Sequence, residues 1–210
     1  MAKKNKSNTS PPKFIRLLRE CSSLALLGVS LYLVLIFYGY DRADPGWSST
    51  SGASPIQNQG GHVGAWLADV LLYLFGISAW LWVLFFISLV SLGYRSINTV
   101  RIFDRRPLLV SVAGFIAFLA SSSGLEALQL YPPNIYLPYK PGGMLGNIIA
   151  ENLPQALGLT GSTLALLTLL AIGFSLFTGL SWLRLVEKIG SIIENFFVGL
   201  KNHWQNRKDR

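Results

Sequence analysis

Few side chains in this sequence could serve as nucleophile, general base or metal ligand. Cys21 is the single cysteine, which excludes an intramolecular disulfide and a cysteine-based metal site. The only histidines are His62, in a segment expected outside the membrane, and His203, in one expected inside, so they cannot share a site. No G-x-x-x-x-G-K-[ST] phosphate loop, H-E-x-x-H zinc helix or G-x-S-x-G nucleophile elbow is present. A quinone-linked thiol oxidase with four spans would need cysteine pairs. What remains is acid chemistry. Asp69 and Glu126 stand in apolar runs, where a carboxylate at mid-membrane would be a proton-relay hypothesis by default. Both fall near the outer ends of their runs, however. Asp69 suits the positive end of a helix start, and Glu126 can reach water. The residues therefore describe a chain that is not an enzyme by itself, with no cofactor or metal of its own. It reads as a scaffold, anchor or oligomerisation module. The alternative is a free-standing small channel or transporter, which should show internal symmetry and a shared midplane cavity. Neither is visible.

The elements that carry these residues follow from composition. Of 210 residues, 51% are hydrophobic and 13% charged, against about 25% charged in a soluble domain. The apolar residues are bunched into long runs, the pattern of a chain whose solvent is lipid. Crossing ~30 Å of hydrocarbon at ~1.5 Å per residue takes about 20 residues. Four such spans are expected, at about residues 21–40, 66–93, 108–128 and 163–183. Sixteen of the 18 Lys and Arg lie before residue 20, between Arg95 and Arg106, or after residue 183; the exceptions are Arg42 and Lys140. This asymmetry puts both ends in the cytoplasm. It also assigns the net charge of +8 to topology and anionic-lipid attraction, not to DNA contact. The expected fold is an all-α integral membrane bundle of four transmembrane helices, N-in and C-in. A basic cytoplasmic N-terminus covers 1–20, an inner loop 94–107, and outer loops 41–65 and 129–162. Met144, Leu145, Ile148, Ile149 and Leu153 predict an interfacial helix in the second outer loop. Val186, Ile189, Ile193, Phe196 and Leu200 predict a cytoplasmic amphipathic helix within 184–210, either lying on the inner leaflet or joining a short coiled coil.

Two sets of residues are candidates for recognition. Asp44, Pro45, Gly46 and Trp47 read as a tight turn with an interfacial tryptophan. Gly60, Gly61, Trp66 and Asp69 read as a Gly-Gly break and a helix start. Both sets read as architecture from their residue types; contact with an extracytoplasmic partner is what the family resemblance set out next implies for them. In the third span Ala113, Ala117 and Ser121 recur at four-residue intervals with Gly114, Ala120 and Gly124 beside them, a small-residue face for helix packing.

Read in order, the words Asp44-Pro45-Gly46-Trp47-Ser48, Pro55-Ile56-Gln57-Asn58-Gln59-Gly60-Gly61, Gly64-Ala65-Trp66-Leu67-Ala68-Asp69, Ser122-Ser123-Gly124-Leu125, Gly142-Gly143-Met144-Leu145-Gly146 and Leu176-Phe177-Thr178-Gly179-Leu180-Ser181-Trp182, followed by Glu187-Lys188-Ile189-Gly190, resemble the N-terminal membrane domain of the FtsK family of bacterial DNA translocases. The match runs from about residue 20 to 195. The resemblance implies an inner-membrane anchor at the division septum, contacts with other divisome proteins, and assembly as a homo-oligomer, a hexamer by analogy with the family's motor. It also implies a full-length protein that couples cell division to chromosome partition. ATP and Mg binding would reside in a missing motor domain, and DNA contact in a missing C-terminal part. Membrane lipids are the one partner implied by composition as well.

Overall fold

A backbone in lipid must satisfy its own hydrogen bonds, so long apolar runs become helices. In the computed structural model, residues 13–49, 55–95, 106–130 and 137–179 and positions 187, 190 and 191 are described. Among the described residues all regular structure is helical. Helix α1 spans Lys13–Tyr38 and α2 Gly61–Phe75. A 3-10 turn at Gly76–Trp80 joins α2 to α3, Leu81–Arg95. Helix α4 spans Arg106–Gln129 and α5 Gly143–Thr178. Four segments are long and apolar enough to cross a membrane: Glu20–Tyr38, Gly61–Ser91, Leu108–Gln129 and Gly143–Thr178. The tail helix expected over 184–210 lies outside the described residues apart from positions 187, 190 and 191, as do most of the basic N-terminus and residues 96–105 of the inner loop.

Two spans differ in detail from the sequence expectation. The second begins at Gly61 and is interrupted at Gly76, whose φ is +62°. That conformation is open chiefly to glycine. Any side chain at Gly76 would also collide with the backbone of Gly142 and Gly143. The fourth long helix begins at Gly143, where an outer loop was expected to continue to residue 162. It is bent at Gly158 (φ 67°, ψ 170°), four residues after Pro154. The 36 residues would extend ~54 Å if straight, well beyond a bilayer. The bend leaves residues 159–178, about one membrane thickness, as the crossing leg. The leg before it carries Asn147, Glu151 and Asn152 beside exposed Met144 and Ile148. It falls where the sequence analysis expects an interfacial helix, and it joins the fourth span without a loop. Gly179, in the left-handed conformation, caps the inner end by donating its N–H to the Ser175 carbonyl.

The bundle packs in two halves. Leu33, Ile36 and Phe37 of α1 meet Ala68, Leu72, Ala79 and Val83 of the second span. Phe115 and Leu119 of α4 meet Phe177 of α5, and partly buried Phe75 and Trp82 bridge the halves. The α4–α5 seam is close because both helices offer glycine at the crossing. Gly114 faces the backbone of Leu176 and Phe177, and Gly173 faces that of Phe118. Ser111 adds a hydroxyl bond to the Phe177 carbonyl at 2.8 Å.

Candidate functional site: the outer face

The first outer segment is folded around two carboxylates. Asp44, 5% exposed, accepts the backbone N–H of Gln57 on Oδ1 and of Asn58 on Oδ2, both at 2.8 Å. Asn58 passes the tie on to α1. Its Nδ2 donates to the Ile36 carbonyl at 3.0 Å, and its Oδ1 accepts the Gly60 N–H at 2.8 Å. Asp69, 4% exposed on α2, accepts from the Ser48 N–H (2.6 Å), the Ser48 hydroxyl (2.8 Å) and the Tyr40 hydroxyl (3.1 Å). Burial, reinforced by the Asp69 charge, holds the Tyr40 phenol well above the ordinary tyrosine range. It therefore remains a donor. Gly46 is needed here for a reason other than turn geometry. Its φ is not positive, but a side chain there would lie 2.6 Å from the Asp69 carboxylate.

A third carboxylate ties down the second outer segment. Glu126 of α4 accepts the Ser78 N–H at 3.2 Å and the Gly142 N–H at 3.1 Å, and takes the Ser78 hydroxyl as well. The Ser122 hydroxyl is 2.7 Å from that of Ser78. The 3-10 turn thus lies where the Gly142–Gly143 corner presses on it, with Glu126 accepting from both sides. An aromatic ladder runs across the same face. Trp47 meets Tyr73 edge-on at 5.0 Å, and Tyr73 meets Tyr139 at 5.1 Å.

These contacts place the predicted residues. Asp44, Gly46, Gly60 and Asp69 are built into one network with Tyr40, Ser48 and Asn58. Pro45, Gly46, His62, Val63 and Trp66 line a shallow open groove beside it, and Gly61 starts α2 with φ +65°. Trp47 and Trp66 are 55% and 49% exposed. On α4, Ser121 and Gly124 are buried and Ala117 is half-buried, but Ala113 is exposed. The closest approach to α5 is made one residue on, by Gly114. The sequence reading missed Glu126, Ser78 and Tyr40 as ties. Their one available signal was a polar side chain at the outer end of an apolar run. Among the described residues no group of three His, Cys, Asp or Glu could hold a metal ion. The buried carboxylates are occupied by neutral donors, so these ties fix the shape of the outer face.

A family model described as the 4TM region of DNA translocase FtsK/SpoIIIE matches residues 15–190. The chain belongs to this family. Asp44, Asp69, Glu126 and Gly142, which make the outer ties, all fall within the residues matched to the FtsK/SpoIIIE membrane region. The chain is 42% identical to DNA translocase FtsK 2 of Ralstonia nicotianae over 95% of its length, and 34% identical to DNA translocase FtsK of Shewanella oneidensis over 78%. It spans 26% and 18% of those relatives. No solved structure matches significantly. The chain is accordingly a multi-pass membrane region of the FtsK/SpoIIIE type.

Proposed function

We propose that this chain is the inner-membrane anchor and septum-targeting module of a DNA translocase, and that it assembles as a homo-oligomer. The observation that carries the reading is the family match across residues 15–190, set against relatives named DNA translocases that are several times longer. In this reading ATP, Mg and DNA are handled by parts of the protein beyond these 210 residues. The membrane region supplies attachment and position. The tied outer face supports a positioning role, because a partner on the far side of the membrane can recognise only what protrudes there in fixed form. The protruding features are the exposed Trp47 and, around one groove, His62, Val63 and Trp66.

The test is the distribution of a fluorescent fusion of residues 1–210 in dividing cells of the source organism. A band at midcell is the expected result. Even labelling of the whole membrane, with the fusion intact and inserted, would reduce the reading to a plain anchor. Trp47→Ala separates partner contact from architecture. Loss of the midcell band at unchanged protein level supports contact; disappearance of the protein supports architecture.

A further inference from the structure

Arg42 and Lys140 are the two basic residues that depart from the inward concentration of positive charge. Almost a hundred positions apart in the chain, they line one open groove of about 600 Å³ at the outer ends of the helices. Its apolar wall comprises Leu130 and Leu137, with Tyr139 and Asn147 alongside. The Lys140 ammonium donates to Asn147 Oδ1 at 3.1 Å and sits 6.0 Å from the Tyr139 ring centre. Two acids lie close by: Asp41, next to Arg42 in the chain, accepts the Ala43 N–H at 2.8 Å, and Glu151 accepts the amide of the groove residue Asn147 at 2.6 Å. Asp44, Asp69 and Glu126 are taken up by the ties already described. The height of the groove is fixed twice. About 20 residues counted from Leu108 reach the outer boundary near residue 128, just below Leu130. The Trp47–Tyr73–Tyr139 ladder, of the type that sits at headgroup level, ends at the groove.

Two cations above an apolar wall at headgroup height match a phosphate joined to acyl chains. We propose that this groove seats an anionic phospholipid of the outer leaflet, its phosphate on Arg42 and Lys140 and an acyl chain along Leu130 and Leu137. The site rests on the membrane-spanning fold and not on the translocase reading. It is distinct from the inner basic segments, which face the other leaflet.

The test places a photoactivatable benzophenone residue at Leu130, 45% exposed, in the full chain reconstituted into bilayers of equal phosphatidylglycerol and phosphatidylcholine. Lipid adducts on the peptide carrying position 130 are then counted by mass spectrometry. Phosphatidylglycerol adducts are expected to exceed phosphatidylcholine adducts about tenfold, given two basic residues at an anionic surface. Arg42→Gln with Lys140→Gln should bring the ratio close to one, and Arg42→Lys with Lys140→Arg should restore it. Both side chains are exposed, and the charge-keeping pair of variants controls for the Lys140 bond to Asn147. A ratio near one in the parent chain, or a preference unchanged in the double Gln variant, overturns the proposal. So does loss of the preference on adding inorganic phosphate, which would mark a free-anion site, or a protein adduct in place of lipid when the crosslink is run in cells.

Discussion

Asp69 accepts from three donors, none of them charged. A carboxylate so placed is a fastener, and its amide equivalent cannot accept all three bonds. Asp69→Asn should lower stability by about 1–3 kcal/mol, the cost of unsatisfied buried polar groups, and appear as a reduced melting temperature in detergent. Trp47→Ala loses only one edge-on ring contact, worth about 0.5–1.5 kcal/mol, and should melt close to the parent. Tyr40 gives the pH dependence. Its folded pKa lies above the unfolded value of ~10, so its contribution is fully present below ~10 and is lost as pH rises through the folded value. Tyr40→Phe should therefore leave the alkaline phenolate absorbance of the folded protein unchanged until the fold opens. An earlier difference would show that the phenol is not buried. The turn word Asp44-Pro45-Gly46-Trp47 was legible in the sequence, but the carboxylate partners were not. Asp44 bonds residues 13 and 14 positions away, and Asp69 bonds one 21 positions back. No periodicity sets such distances; they follow from how the loop closes.

At the scale of elements, the four spans could be read because a run of apolar residues has one stable form in lipid. Which face packs could not. The apolar residues of α4 are spread over all of its faces, and Ala113 and Gly114 are both small, so composition leaves the choice between them open. The backbones decide it, since a side chain at Gly114 would meet Phe177 and Leu176. Gly114→Leu should abolish accumulation of folded protein, while Ala113→Leu, on an exposed position, should leave amount and melting temperature unchanged. A change of oligomer size in Ala113→Leu alone would assign the exposed stripe to contacts between copies. Gly158 poses the reverse case. Nothing lies within 4 Å of an added side chain, yet φ is +67°. With ψ at 170° the backbone lies in a region open essentially to glycine, so Gly158→Ala should cost about 1–3 kcal/mol through conformation alone, and Gly158→Asn as much. Equal stability of all three would mean that the helix straightens at no cost.

For the whole molecule, the charge asymmetry sets the direction of every span. Cys21, exposed near the start of α1, should react with a membrane-impermeant maleimide in inverted vesicles and not in intact spheroplasts. The three carboxylate ties all lie at the outer ends of the helices, and their partners fall at unequal places along the chain. This has a consequence for biogenesis. Tyr40 and Ser48 are synthesised before Asp69, so the first tie can close as soon as the second span is inserted. Glu126 has one partner upstream, Ser78, and one downstream, Gly142. Its tie must wait until the Gly142–Gly143 corner has crossed the bilayer. A nascent chain thus leaves the ribosome as a finished helical hairpin carrying an open socket at Gly76, which only the last span can fill.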